Sequence, residues 1–180
     1  NYFKNIILLI SNNIFYSRNM KGDCFVMDYQ ILINKTHKLD DEYLKNTIVP
    51  QIVKVDPIKN NEIVYRTFGI KENATFLEKK TAEQFEKLRV FARENGIILG
   101  ITSGYLSPEQ QGVKYEYFVR KKGIEFAKKS ACLPGYSEHN TGLAMDCDIF
   151  RNGKWAGIAP DENGNINQET AWLHSVLPKF

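Results

Sequence analysis

Hydrophobic positions predict a well-defined helix in the middle of the chain. Phenylalanine and leucine recur at helical spacing between Lys80 and Gly96, and Gly96 is the kind of residue at which helices end. Thr81 and Gln84 have the three-residue spacing of a capping box, so we expect Thr81 to cap this helix. The pattern therefore predicts one amphipathic helix packed against a core.

A strand and a second helix are predicted next along the chain. The short β-branched run Ile97–Ile101 has the length and composition of a buried strand. Ser107 followed by Pro108 matches the cap and the first position of a helix whose body extends to about Lys122. Gly123 then interrupts the helical pattern, so we expect the helix to end there.

The last third of the chain predicts a turn, two strands and a final helix. Leu133–Tyr136 contains a Pro-Gly pair typical of turns, and Leu143–Phe150 alternates between two faces as a strand does. The pair Asn152 and Gly153 is a strong hairpin signal that leads into a second strand. A helix is predicted over Gln168–Leu177. Together these elements indicate an α+β fold.

Composition limits the possible classes of protein but does not indicate a reaction. A chain of 180 residues with 43% hydrophobic residues can bury one substantial core. The 24 basic residues exceed the 21 acidic ones by only three and are scattered along the sequence, so we expect no nucleic-acid partner. Cys24, Cys132 and Cys147 are an odd number without CxxC spacing, so we interpret them as free thiols.

The domain organisation is interpreted as an N-terminal extension over residues 1–29 and one domain over residues 30–180, because no repeat, low-complexity tract or linker divides the chain. The apolar run Ile6–Ile10 is too short to cross a bilayer. Since the chain begins at Asn1, the run is either a strand or short helix, which we prefer, or the tail of a removed targeting segment. Gln30–Leu44 predicts a short β segment followed by a polar connection.

The most informative polar residues are His139 and Asp146, in the segment Ser-Glu-His-Asn-Thr-Gly-Leu-Ala-Met-Asp. In a strand that starts at Leu143, Ala144 would share a face with Asp146 and leave room beside it. Gly142 permits a sharp bend, so the imidazole and the carboxylate can converge on one cation, a ligand pair suited to zinc. Spacing alone favours the plainer alternative of a surface histidine and a hydrogen-bonded aspartate.

This segment resembles the SxHxxGxAxD signature of the VanY-like D-alanyl-D-alanine peptidases, and other blocks resemble the same family in the same order. SGYLSPEQQ is similar to the family's SGYRSxxxQ block, LPGY to its Pro-Gly turn, and ILINKTHKL to its N-terminal segment. TAWLHSVLPKF resembles the helix that precedes the family's last strands. The resemblance extends from about Gln30 to Phe180. It implies a single-domain α+β fold of the zinc-peptidase type, with a small antiparallel sheet flanked by helices.

The resemblance also implies a metal site. It makes His139 and Asp146 two of three ligands to zinc (Zn2+), with the third ligand and the general-base glutamate in a later Glu-Pro-Trp-His segment. That segment is absent up to Phe180, so we expect the natural protein to continue beyond it and this domain to be C-terminally incomplete. His174 lies where the family has no ligand and His37 lies in a polar loop, so we interpret both as solvated.

The resemblance further implies a groove for a peptide. Four polar residues match positions that line the family's groove: Tyr105, Ser107, Gln111 and Ser137. Leu106, however, replaces the family's arginine, which would pair with the terminal carboxylate of the peptide. A nearby cation such as Lys114 or Arg120 could take over that role, but the sequence alone provides no geometry for either.

These implications predict a zinc-dependent D,D-carboxypeptidase that removes the terminal D-alanine from peptidoglycan stem peptides, in cell-wall remodelling or glycopeptide resistance. Its expected location is the bacterial cell envelope or the extracellular space, and any membrane anchor would lie outside this chain. One alternative, which Leu106 favours, is a catalytically degenerate protein that binds cell-wall peptides. Another is a related L,D-carboxypeptidase or D,D-dipeptidase. Missing closing strands would expose a strand edge, so we also expect self-association.

Overall fold

A computed structural model describes residues 35–40, 52–56, 75–156 and 163–180, and the backbone of two further strands. These two strands, β1 (Phe15–Arg18) and β2 (Cys24–Met27), pair antiparallel. The predictions for Ile6–Ile10 and for most of Gln30–Leu44 fall outside the described residues.

The first helix follows directly from a strand, and this connection decides how it is capped. Strands β3 (Ile52–Val55) and β4 (Thr75–Glu78) pair antiparallel, and α1 (Lys79–Glu94) begins at the next residue. The cap is Glu78, whose carboxylate accepts a hydrogen bond from the Thr81 backbone N–H at 3.0 Å. The predicted capping box of Thr81 and Gln84 is therefore wrong, because the last residue of β4 already occupies the capping position.

The main sheet has three antiparallel strands in the order β5-β6-β7, with β5 over Ile98–Ser103, β6 over Asp146–Arg151 and β7 over Lys154–Trp155. Ile98 pairs with Phe150 at one end and Ser103 with Asp146 at the other, with a bulge just before Ser103. Asn152 and Gly153 both have positive φ at the turn between β6 and β7, which confirms the predicted hairpin.

The hydrophobic core lies between α1 and one face of this sheet. Because strand residues alternate between faces, Cys147 and Ile149 of β6 point into this core, whereas Asp146 and Asp148 lie on the opposite face. The core is completed from the last helix, α4 (Gln168–Val176), which continues into a 3-10 turn over Leu177–Lys179. The members that are less than 2% exposed are Leu77, Phe85, Leu88, Ala92, Ile97, Leu99, Ile101, Met145, Ile149 and Leu173.

Strand β6 starts later than predicted. Leu143, Ala144 and Met145 are buried but irregular, so the expected strand face shared by Ala144 and Asp146 does not exist. The reason lies one residue earlier, where the carbonyl of Gly142 accepts a hydrogen bond from the backbone N–H of Glu78 at 2.9 Å. This bond holds the chain against the end of β4, so pairing with β5 begins only at Asp146.

Helix α2 (Pro108–Lys122) begins and ends as predicted. The Ser107 hydroxyl accepts from the Gln110 backbone N–H at 3.1 Å, and the Gln110 side chain accepts from the Ser107 N–H at 2.9 Å. Gly123 has a φ of 85° and ends the helix, and α3 (Ile124–Ser130) follows directly. The predicted α+β class is thus confirmed. Within the described parts of the chain, no helix is both long and apolar enough to span a bilayer.

Candidate metal centre

His139 lies in a 3-10 helix, Glu138–Thr141, between α3 and the main sheet, and is 6% exposed. Its Nδ1 is 2.8 Å from the carbonyl oxygen of Gly104. Because a carbonyl oxygen only accepts hydrogen bonds, Nδ1 carries the proton and the lone pair of the neutral ring is on Nε2. Nε2 faces Oδ2 of Asp146, which is also 6% exposed, at 3.5 Å.

The distance between these two atoms fits a shared metal ion better than a direct hydrogen bond. Charge-assisted N–H···O bonds are about 2.7–2.9 Å long, whereas the separation in the protein is 3.5 Å. Two ligands of a tetrahedral zinc ion with bonds of about 2.0–2.1 Å lie roughly 3.3 Å apart. A backbone carbonyl on the other ring nitrogen is the partner that metal-binding histidines commonly have. The pair therefore fits zinc in distance, ligand type and orientation.

Gly142 makes the approach of the two residues sterically feasible, as the sequence predicts. Its φ of 75° lies in the left-handed region that favours glycine. A Cβ atom at this position would lie 2.7 Å from Cδ1 of Ile52 and 3.1 Å from the backbone nitrogen of Glu78. Only glycine allows the chain to turn here while it contacts both β3 and the end of β4.

Asn140 ties the His139 segment to its neighbours on two sides. Its Oδ1 accepts from the Gly135 backbone N–H at 3.0 Å, and its Nδ2 donates to the carbonyl of Leu106 at 2.7 Å. The backbone N–H of Leu106 in turn donates to the carbonyl of His139 at 3.1 Å. These bonds hold the start of α2 next to the candidate metal ligand.

A complete set of protein ligands is not present among residues 35–40, 52–56, 75–156 and 163–180, which contain no group of three or more His, Cys, Asp or Glu side chains able to hold a metal ion. His174 on α4 is exposed, and so is His37, whose Nδ1 is 3.0 Å from the hydroxyl of Thr36. Both histidines are thus solvent-accessible, as predicted.

Two of the predicted groove residues surround His139 from separate segments. Tyr105 is half-buried, and this burial raises the pKa of its phenol. Its backbone N–H donates to the carbonyl of Phe76 at 2.7 Å, which fixes the residue beside β4. Ser137 is 3% exposed and precedes the 3-10 helix that carries His139. Either hydroxyl has the chemistry to contact a peptide.

The other two groove candidates lie at the start of α2. The Ser107 hydroxyl is engaged as the helix cap. Gln111 is 1% exposed, and its Nε2 donates to the carbonyl of Cys132 at 2.8 Å. Its Oε1 is buried and has no hydrogen-bond partner among the described residues. Since a buried acceptor without a donor costs about 1–3 kcal/mol, Gln111 is a favourable place for an N–H group of a ligand.

Sequence reasoning did not assign a role to Gly104 or Asn140, although both lie inside the matched blocks. Gly104 acts through its backbone carbonyl, and Asn140 through an amide that links two segments. Residue type does not reveal either role, because each depends on a hydrogen-bond partner that is distant in the sequence. Their positions within the SGY and SEHN blocks were the only available signal.

The fold and the His139–Asp146 pair together define an α+β protein with a candidate zinc-peptidase site. The model of the family described as "VanY: D-alanyl-D-alanine carboxypeptidase" matches residues 74–180, which is more than half of the chain. The chain therefore belongs to the VanY family of D-alanyl-D-alanine carboxypeptidases.

Individual relatives agree with this assignment. The putative carboxypeptidase YodJ of Bacillus subtilis is 31% identical over 151 residues, which cover 83% of this chain and 51% of YodJ. The chain spans about half the length of the curated relatives it matches.

Solved structures share the fold. The structure of the LdcB LD-carboxypeptidase has a TM-score of 0.55 and 25% identity, and the match covers 82% of this chain and 62% of LdcB. The D,D-pentapeptidase VanY from a VanB-type resistance cassette, solved in complex with Zn(II), has a TM-score of 0.50 and 20% identity, with coverage of 82% and 70%.

Proposed function

We propose that the protein is a zinc-dependent D,D-carboxypeptidase that removes the terminal D-alanine from peptidoglycan stem peptides. The observation that carries this proposal is the buried pair of His139 and Asp146, with Nε2 and Oδ2 3.5 Å apart and the imidazole oriented by Gly104. The pair lies within the region that matches the family. The substrate places the activity at the cell envelope or outside the cell, in wall remodelling or glycopeptide resistance.

In this proposal His139 and Asp146 hold the zinc ion. A bound zinc would polarise a peptide carbonyl and lower the pKa of a water molecule. The hydrogen bond from Nδ1 to Gly104 keeps the Nε2 lone pair directed at the metal position. Mononuclear catalytic zinc sites normally have three protein ligands. The proposal therefore requires a third ligand and a proton acceptor from residues other than those that the structure describes.

Substrate binding is proposed to use the groove residues around this pair. The buried Oε1 of Gln111 is suited to accept a hydrogen bond from a backbone N–H of the peptide, because it lacks a donor within the described parts of the chain. Tyr105 and Ser137, which lie in segments next to His139, are proposed to contribute hydroxyl groups. A peptide held between them would be aligned for attack at one bond.

Two alternatives remain open to experiment. A peptide-binding protein without catalysis is favoured by Leu106, which is 6% exposed and carries no charge. A related L,D-carboxypeptidase or D,D-dipeptidase would use the same ligand pair, and solved structures named for D,D and for L,D activity both share this fold. These enzymes differ in the substrate they accept: in the stereochemistry of the residue before the cleaved bond and in the length of the peptide.

The metal site is tested first. The chain is stripped with a chelator and titrated with zinc in a calorimeter, in parallel with His139→Ala and with His174→Ala as a control at an exposed histidine. We expect zinc binding at one ion per chain that His139→Ala abolishes and His174→Ala leaves unchanged. Weak binding that His139→Ala does not alter would overturn the metal site.

The activity is tested on the zinc-loaded protein with stem peptides that end in D-Ala-D-Ala or in L-Lys-D-Ala. Release of free D-alanine from the first peptide alone supports the D,D-carboxypeptidase. Hydrolysis of the free dipeptide D-Ala-D-Ala, added as a third substrate, indicates the dipeptidase. Release from the second peptide indicates the L,D enzyme. Saturable peptide binding without release supports the non-catalytic alternative.

A further inference from the structure

We infer that Lys114 is the residue that recognises the terminal carboxylate of the peptide. The inference rests on the proposed function and adds the determinant of its specificity for a free chain end. A carboxypeptidase cleaves next to a terminal carboxylate, and consecutive Cα atoms are about 3.8 Å apart. The cation that recognises this carboxylate must therefore lie, in space, no further from the metal ligands than the length of one or two peptide residues.

Leu106 cannot provide this recognition. Its side chain is apolar and 6% exposed, and its backbone N–H and carbonyl are both engaged, by His139 and Asn140. Position 106 therefore contributes to the support of His139 rather than to contacts with an anion. A charged group has to come from another position on α2 or its surroundings.

Lys114 lies on the same face of α2 as the buried Gln111. It follows Gln111 by three residues, so the two side chains are neighbours on one helix face. Gln111 is buried and donates to the carbonyl of Cys132, so this face of α2 is turned into the protein, toward the Cys132 segment. Side chains on a helix lean toward its N-terminus, so the Lys114 stem runs back toward Ser107 and the segment bonded to His139.

The electrostatic surroundings of Lys114 agree with this placement. Burial lowers the pKa of its ammonium, and nearby acidic groups, of which Asp146 contributes most, act in the opposite direction. The lysine is thus close enough to the candidate metal ligand for their charges to interact. A partly buried ammonium is stabilised by an anion, and a zinc ion on Asp146 would offset part of the negative charge there. The carboxylate of a bound peptide would then be a favourable partner for Lys114.

Arg120 provides a matched control on the same helix. It is exposed and lies six residues further along α2, a displacement of about 9 Å along the helix axis. Its guanidinium is a stronger carboxylate binder than an ammonium, because it donates two parallel hydrogen bonds. If general attraction by the basic residues of α2 were responsible for recognition, loss of Arg120 would matter as much as loss of Lys114.

The test compares a stem peptide that ends in D-Ala-D-Ala with its C-terminal amide, on zinc-loaded unmodified protein and on three variants. Binding is measured by calorimetry for both peptides, and D-alanine release is measured for the free acid. A hydrogen bond to a charged partner contributes about 1.5–3 kcal/mol, so we expect the unmodified protein to prefer the acid by roughly 10–100-fold. Lys114→Met should reduce this preference to about 3-fold or less, with little effect on the amide. Lys114→Arg should retain most of it, and Arg120→Met should leave it unchanged.

The outcomes distinguish the role of Lys114 from the proposed carboxypeptidase activity. Equal binding of acid and amide by the unmodified protein, or a preference that survives Lys114→Met, overturns the role of Lys114 even when D-alanine is released. A preference that is lost in Lys114→Met without D-alanine release from any form supports the recognition and rejects the carboxypeptidase. Unchanged zinc affinity in Lys114→Met shows that the variant is folded. Lys114→Arg keeps the positive charge and changes only the shape of the side chain, so it separates the effect of charge from that of shape.

Discussion

Replacing Gly104 with alanine should damage both the stability of the fold and the metal site. A Cβ atom at this position would lie 2.5 Å from the carbonyl oxygen of Phe76 and 2.5 Å from Cγ2 of Thr75. Ordinary contacts of a Cβ begin near 3.4 Å, so one strand must move by roughly an ångström. The Thr75 methyl group belongs to a side chain, whereas the Phe76 oxygen belongs to the backbone of β4 and can move only with the strand.

The expected magnitude follows from what this movement disturbs. Overpacking of a dense interior costs about 1–3 kcal/mol. The same Phe76 carbonyl accepts the Tyr105 N–H at 2.7 Å, and a weakened hydrogen bond costs about 0.5–1.5 kcal/mol more. Alanine recovers about 0.4–1 kcal/mol by restricting the unfolded chain. We therefore expect a net loss of about 0.5–4 kcal/mol, centred near 2 kcal/mol, in the free energy of unfolding.

The metal site should be affected through His139, because Gly104 supplies the carbonyl that orients its ring. Loss of such a supporting partner typically lowers metal affinity by about 10–100-fold. The assay is urea unfolding together with zinc calorimetry on Gly104→Ala. Gly112→Ala is the control, since among the described residues its Cβ would meet only Cγ of Pro134, at 3.3 Å, and alanine favours the helix interior. A Gly104→Ala variant as stable as the parent, with unchanged zinc affinity, would refute this reasoning.

Two further predictions concern the helix cap and the thiols. Ser107→Ala removes one half of the capping box and should lower the free energy of unfolding by about 1 kcal/mol. Ser107→Asp should retain most of the stability that the cap provides, because aspartate is also a good capping residue. Equal urea midpoints for the unmodified protein and both variants would contradict this role of Ser107. Burial raises the pKa of the Cys147 thiol far above its usual value of 9.0, and the partial burial of Cys132 also raises the pKa of its thiol. At pH 8 a thiol-specific reagent should therefore modify Cys132 slowly and Cys147 only after unfolding, as mass spectrometry of the labelled peptides would reveal. Because the unfolded Cys147 thiol ionises near pH 9 while the buried one keeps its proton, stability should fall as the pH rises above 9, and a Cys147→Ala variant should lose that part of the pH dependence.

Much of the local structure could be predicted from residues that act on their immediate neighbours. Ser107 caps the helix that begins at Pro108, Gly123 ends it, and Asn152 with Gly153 turns the β6-β7 hairpin. Each of these effects needs only a few consecutive residues, so the sequence contains all the necessary information. The class of the fold follows from the same local signals taken in order.

Predictions that needed a distant partner were less successful. The capping box at Thr81 was wrong because β4 continues directly into α1, so Glu78 takes the cap. The early start of β6 was wrong because the Gly142 carbonyl bonds to Glu78, 64 positions away. In both cases a contact between separate segments overrode a reasonable local pattern.

For the candidate site, the sequence by itself determined which residue types are available for the proposed chemistry: His139, Asp146 and Gly142 within one short segment, and Gln111 at the start of a helix. Only the tertiary structure decided how they are arranged. The Gly104 carbonyl that orients His139 comes from 35 residues away, and the start of α2 is held beside His139 by the backbone of Leu106, which bonds to His139 and Asn140. Ligand types are properties of single residues, whereas distances and orientations arise when segments far apart in the chain are packed together.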